Sequence, residues 1–135
     1  MSKTSTERSK TWTVRNRRIL LVDDEANVRT SVSWLLDLDQ HEVTQAASAD
    51  EALELYAPGR FDLVITDMRM PGMSGADLAI RIKRQQPNQP IIMLTAYTEI
   101  SRSSENPVDD IVSKPPWLAD LRQSIARALE NSFSD

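Results

Sequence analysis

Phe61-Asp62-Leu63-Val64-Ile65-Thr66-Asp67 is a short, β-branched apolar run that stops on a carboxylate, and Met68-Arg69-Met70-Pro71-Gly72-Met73-Ser74-Gly75 follows it with turn chemistry. An apolar run bounded by Pro and Gly predicts a buried strand, parallel to its neighbours and covered on both faces. Asp67 falls where strand gives way to loop, the edge at which open α/β sheets bind ligands. On this stretch alone Asp67 reads equally well as a functional residue and as a polar terminator or helix cap.

Toward the N-terminus, Arg18-Ile19-Leu20-Leu21-Val22 is a second buried-strand run, and it ends on Asp23-Asp24-Glu25. Asn27 to Leu38 has helical spacing, with Val28, Val32, Leu35 and Leu36 on one face and Trp34 bordering it or pointing elsewhere. His41 to Ala46 alternates weakly and predicts a short edge strand. Ser48-Ala49-Asp50-Glu51 reads as a capping box opening a helix through Ala52, Leu53, Leu55 and Tyr56, and Pro58-Gly59 stops it.

Toward the C-terminus, Ser74 or Gly75 starts a helix marked by Leu78, Ile80 and Ile82 and ended at Gln86-Pro87. Gln89 to Leu94 predicts a fourth strand running onto Thr95-Ala96. Tyr97 to Asn106 is polar and poorly patterned. Asp109 to Ser113 predicts a short fifth strand ending on Lys114-Pro115-Pro116. Trp117 to Leu129 closes the chain as an amphipathic helix, in which Trp117 reads as core. Strands alternating with helices at this spacing predict a parallel sheet with right-handed crossovers.

The 135 residues suffice for one domain with a real core. There is no cysteine and one histidine, which excludes disulfides, thiolate metal sites and multi-histidine sites. No apolar run approaches the length of a membrane span, and the N-terminus lacks a secretory h-region. A cytoplasmic protein is the expectation. The net charge of −4 hides an asymmetry: residues 1–17 carry +4, which leaves −8 for the rest. That acidic body speaks against nucleic acid as the main partner. The Ser/Thr/Lys-rich residues 1–17 read as a disordered basic leader, and 18–135 as the domain.

The strand ends carry the chemistry. Asp23 and Asp24 end the first strand, Asp67 the third, Thr95 the fourth and Lys114 the fifth. In a parallel sheet these ends share one edge, so residues spread over about 90 positions converge there. Crowded carboxylates repel unless one is protonated or a cation joins them. An all-oxygen donor set favours Mg2+ or Mn2+ over zinc. Lys114 supplies a compact positive charge for a phosphoryl oxygen, and Thr95 a hydroxyl donor. Together the set describes phosphoryl transfer to or from a carboxylate.

Ile19 to Asp24, the Asp67-x-x-x-Pro71-Gly72-x-x-Gly75 element, Leu94-Thr95-Ala96 and Lys114-Pro115 together resemble the receiver domain of bacterial two-component response regulators, and the chain is similar to a single-domain, chemotaxis-type receiver. The resemblance runs from Arg18 to Asn131. It implies a flavodoxin-like three-layer α/β/α fold, with a five-stranded parallel sheet of order 2-1-3-4-5, an order that such receivers exemplify. It implies that Asp67 accepts a phosphoryl group from a sensor histidine kinase or phosphotransfer protein. Asp24 and Asp67 would bind Mg2+ directly and Asp23 through water, with the Arg69 backbone carbonyl completing the set. Thr95 and Lys114 would hold the phosphoryl oxygens, and the Lys114-Pro115 bond would be cis. Such a protein is a phosphoacceptor with slow self-dephosphorylation rather than an enzyme. It signals to a downstream protein or an output domain, with no direct nucleic-acid or membrane contact.

Two features depart from that family. Ile111 stands where an aromatic is usual, three residues before the lysine, and the segment from Thr95 to Lys114 is short, which predicts a shortened or irregular fourth helix. Tyr97 and Arg69 would flank the phosphosite and shield it from water. The main alternative is therefore a receiver-like interaction module that is not phosphorylated. A carboxylate-nucleophile hydrolase would want an acid where Arg69 stands. A nucleotide or flavin binder would want a glycine-rich loop where Asp23-Asp24-Glu25-Ala26 stands.

Overall fold

The computed structural model describes residues 13–96 and 107–133. Nine elements follow along them: β1 (Arg18–Val22), α1 (Ala26–Asp37), β2 (Glu42–Ala46), α2 (Ala49–Leu55), β3 (Leu63–Asp67), α3 (Gly75–Gln85), β4 (Ile91–Thr95), β5 (Asp110–Ser113) and α4 (Leu118–Phe133). The five strands form one parallel sheet in the order β2-β1-β3-β4-β5, as expected. The predicted edge strand, β2, lies at an edge. The shortened helix expected over residues 97–106, and Tyr97 with it, lies outside the described residues.

The continuous apolar runs are explained by burial on both faces. Along β1 the side chains alternate between two cores. Ile19 and Leu21 face a layer built with α1 and α4 (Val32, Leu36, Leu121, Ile125), whereas Leu20 and Val22 face one built with α2 and α3 (Ala52, Leu78, Ala79, Ile82). Every residue of β3 and β4 is buried, so neither strand has a solvent face to mark with polar residues.

Helix starts follow local chemistry. Ser48 Oγ accepts the Glu51 N–H at 3.0 Å, and the Glu51 carboxylate reaches back to accept the Ala47 N–H at 2.7 Å. The predicted capping box thus forms, its return bond falling one residue before the cap. Ser74 caps α3 by accepting the Asp77 N–H at 3.1 Å. Of the predicted leader, residues 1–12 lie outside the described residues. Residues 13–17 lie against the domain: Val14 packs on the core beside α1, and Asn16 N–H donates to the Asp39 carbonyl at 3.2 Å.

Two apolar readings are corrected. Trp117 is 74% exposed rather than core, because it precedes α4 and falls outside the stripe that Leu121, Ile125 and Leu129 turn to the sheet. Ile80 is 41% exposed, since Leu78, Ala79 and Ile82 already fill the inner face of α3. Trp34 points away from the core and is 70% exposed.

Candidate functional site

Register decides which side chains meet. Val22 pairs with Thr66, Asp67 with Leu94, and Thr95 with Ser113, so the strands finish on one edge. Backbone bonds continue the ladders past the strand ends: Asp23 N–H to the Ala46 carbonyl (3.1 Å), Met68 N–H to the Leu94 carbonyl (3.1 Å) and Lys114 N–H to the Thr95 carbonyl (2.9 Å). These bonds fix where the chain leaves the sheet, and so where its last polar side chains stand.

Three carboxylates gather there. One oxygen each from Asp23, Asp24 and Asp67 lie within 4.8 Å of one another. Asp23 and Asp67 are buried and Asp24 is exposed. Lys114 Nζ bridges the buried pair, 3.1 Å from Asp67 Oδ1 and 3.2 Å from Asp23 Oδ2. Asp67 Oδ1 also accepts the Met68 N–H at 2.9 Å. The Lys114-Pro115 bond is cis, as the resemblance implies.

Electrostatics follow from this crowding. Burial pushes the Asp67 carboxyl above the ordinary carboxylate range, and the charge of Asp23 adds to the rise. The Lys114 and Met68 donors oppose it. Burial alone would lower the Lys114 ammonium, but the hydrogen bonds and charges of Asp67 and Asp23 outweigh it and hold the lysine above its usual value. One ammonium faces three carboxylates, which leaves an excess of negative charge.

The donor set suits a hard divalent cation. It is all oxygen, one member is solvent-facing, and Asp23 Oδ2 is buried with no hydrogen bond of good geometry among the described residues. The Lys114 ammonium, 3.2 Å away, is shared between this oxygen and Asp67, so the buried pair retains negative charge that a divalent ion would offset.

The other predicted residues are placed unequally. Thr95 ends β4, is 1% exposed, and directs its hydroxyl to the Ala96 carbonyl at 3.4 Å. Arg69 is exposed in the loop after Asp67. Ile111 pairs with Met93 and is half-buried.

Sequence reasoning did not assign the residues that position this set. Gly75 N–H bonds the Met68 carbonyl at 2.8 Å, and a Cβ on Gly75 would collide with the Asp67 carbonyl. Glycine at that point in the quoted motif was the available signal. Arg29 Nη1 donates to the Asp23 carbonyl at 2.6 Å, a contact that no local pattern announces.

A family model described as the response regulator receiver domain matches residues 19–126. The chain is 35% identical over 116 residues to the response regulator protein PilR of Pseudomonas aeruginosa, covering 84% of this chain and 26% of that one. It is 32% identical over 117 residues to the sporulation initiation phosphotransferase F of Bacillus subtilis, covering 84% and 94%. Among solved structures, the response regulator protein TrrA from Thermotoga maritima in complex with Mg2+-BeF superposes with a TM-score of 0.77 at 36% identity, covering 84% of this chain and 99% of that one. The chain thus spans about a quarter of PilR and nearly all of the sporulation protein.

Proposed function

We propose, for a chain that belongs to the response regulator receiver domain family of two-component systems, that Asp67 is the phosphoacceptor of a phosphorelay. The observation that carries this reading is the pairing of Asp67 with Lys114 at 3.1 Å inside a cluster of three carboxylates.

The donor is a phosphohistidine on a sensor histidine kinase or a phosphotransfer protein. An Asp67 oxygen attacks phosphorus in line, the P–N bond breaks, and its electron pair returns to the imidazole. The product is a mixed anhydride on Asp67. Lys114 and the Thr95 hydroxyl hold the equatorial oxygens, and the lysine exchanges part of its contact with Asp67 for the incoming charge. Holding both groups on strand ends spares the reorganisation that flexible loops would require.

Asp24 and Asp67 directly, Asp23 through water, and the Arg69 backbone carbonyl would hold Mg2+, Mn2+ being able to replace it. When bound, such an ion neutralises charge on the phosphoryl oxygens. The solved relative in complex with Mg2+-BeF supports this reading of the acidic pocket.

The phosphorylated domain signals by protein contact, to a downstream protein or to an output domain. Similarity to PilR over a quarter of that protein's length supports the second arrangement. The remaining assignments belong to the same proposal: a basic leader over residues 1–17, a receiver over 18–135, slow self-dephosphorylation without another catalytic activity, and a cytoplasmic location. Among the described residues no helix is long and apolar enough to cross a membrane.

Beryllofluoride titration with Mg2+, followed by amide NMR shifts, tests the assignment. Saturable shifts around Asp67, Thr95 and Lys114 that vanish in Asp67→Asn are expected. No shifts in the wild type would favour the unphosphorylated interaction module, the alternative that the short, poorly patterned sequence between Thr95 and Lys114 raises.

A further inference from the structure

Asp23 is held at every polar atom but one. Its N–H donates to the Ala46 carbonyl (3.1 Å), its Oδ1 accepts the Glu25 N–H (2.9 Å), and its carbonyl accepts Arg29 Nη1 (2.6 Å). Oδ2 makes no such hydrogen bond among the described residues; it is ion-paired with Lys114 Nζ (3.2 Å) and faces the other two carboxylates. Two of the three restraints are backbone groups, set by the sheet and by the start of α1. The third is a side chain.

Arg29 is itself braced. It lies in the first turn of α1, where its own N–H bonds the Glu25 carbonyl at 3.1 Å. Its Nε donates to Gln45 Oε1 on β2 at 3.2 Å, and Gln45 Nε2 donates to Ser33 Oγ at 3.0 Å. The guanidinium therefore ties the start of α1, the edge strand and the Asp23 peptide into one unit. Its planar fork makes two such contacts at once, which an ammonium cannot do with the same geometry.

We propose that Arg29 is a positioning residue whose hold on the Asp23 carbonyl aims Asp23 Oδ2 at the cation. The inference rests on the reading of Asp23, Asp24 and Asp67 as a divalent-cation site. Positioning and simple charge predict opposite signs. A positive group beside three carboxylates repels a divalent ion, so charge alone says that removing Arg29 tightens binding. Positioning says that removing it weakens binding, because groups that orient metal ligands contribute about tenfold or more to affinity.

The test is Mn2+ affinity, read from the free-ion EPR signal, on wild type, Arg29→Met, Arg29→Lys and Gln45→Leu, with thermal unfolding of each in parallel. The expected result is binding about tenfold weaker in Arg29→Met, with smaller losses in Arg29→Lys and Gln45→Leu. Unchanged or tighter binding in Arg29→Met, with or without a loss of stability, overturns the inference and leaves the cation site standing. If Arg29→Met does not fold, Gln45→Leu decides: equal affinity to wild type overturns it. A wild type that binds no Mn2+ overturns the cation reading and this inference together.

Discussion

Gly75 stands against the backbone of Asp67 so closely that any β-carbon at position 75 would strike the Asp67 carbonyl oxygen. The contact is made by the first residue of α3 against the last residue of β3, and the Gly75 N–H to Met68 carbonyl bond (2.8 Å) fastens it. Alanine is the better helix former, so propensity alone would make Gly75→Ala stabilising. The collision reverses the sign. Urea unfolding of Gly75→Ala should show a loss of about 1–3 kcal/mol, the range for overpacking a tight site. Phosphoryl uptake should fall further than stability does, since the displaced group is the peptide that carries Asp67. Equal or greater stability would contradict the close approach.

Lys114 is the countercharge for two buried carboxylates. In Lys114→Met the Asp67 carboxyl, already above the ordinary range, should titrate higher still, because its main opposing interaction is gone. Carboxyl carbon NMR of the metal-free protein reads this directly. An Asp67 titration unchanged or lowered in the variant would mean that the lysine does not couple to it.

His41 is 4% exposed; its Nδ1 accepts the Arg17 N–H at 3.0 Å, and its Nε2 has no hydrogen-bond partner among the described residues. A nitrogen that accepts an N–H cannot also carry a proton, so the fold needs the neutral ring. Burial pushes its pKa below the usual 6.5, the charge of Arg17 adds to the fall, and Asp39 opposes it. The unfolded chain therefore takes up the proton first. Stability from this group is complete above the ordinary histidine value and is lost as pH falls from there through the lowered value of the folded state, at up to about 1.4 kcal/mol per pH unit. Urea unfolding between pH 7.5 and 5.5 should show a steeper decline for wild type than for His41→Gln. Identical slopes would show that folding leaves the titration of His41 unchanged.

Trp117→Ala should change stability by no more than about 0.5 kcal/mol, as surface substitutions do. A core tryptophan would instead cost about 3–5 kcal/mol. Thermal unfolding distinguishes the two, and a large loss would contradict the exposure of this ring.

Most of the fold was legible because each strand is a local signal. A β-branched run that stops on a polar residue marks both a buried strand and its edge. The Ser48 and Ser74 caps are equally local. The sheet order is not local, and it came from resemblance rather than from periodicity. Trp117 was misread because a tryptophan beside an amphipathic helix carries no mark of which side of the first turn it takes. Hydrophobicity gives Ile80 to the core, but the face of α3 was already full. Long-range polar pairs were invisible for another reason. Asp39 is buried and meets Arg122 through two bonds of 2.9 Å across 83 positions. Lys83 and Asp109 meet at 2.9 Å across 26. Neither pair has a spacing that sequence can announce. Arg29 and Asp23 are only six positions apart, but their contact joins a side chain to a backbone carbonyl, which residue types do not announce.

The most direct measurement is intact mass after incubation with acetyl phosphate or phosphoramidate, with and without Mg2+, on wild type and Asp67→Asn. The account predicts a gain of one phosphoryl group in the wild type that needs both the ion and Asp67. No gain in the wild type while the divalent ion still binds would contradict it, and so would a gain that persists in Asp67→Asn.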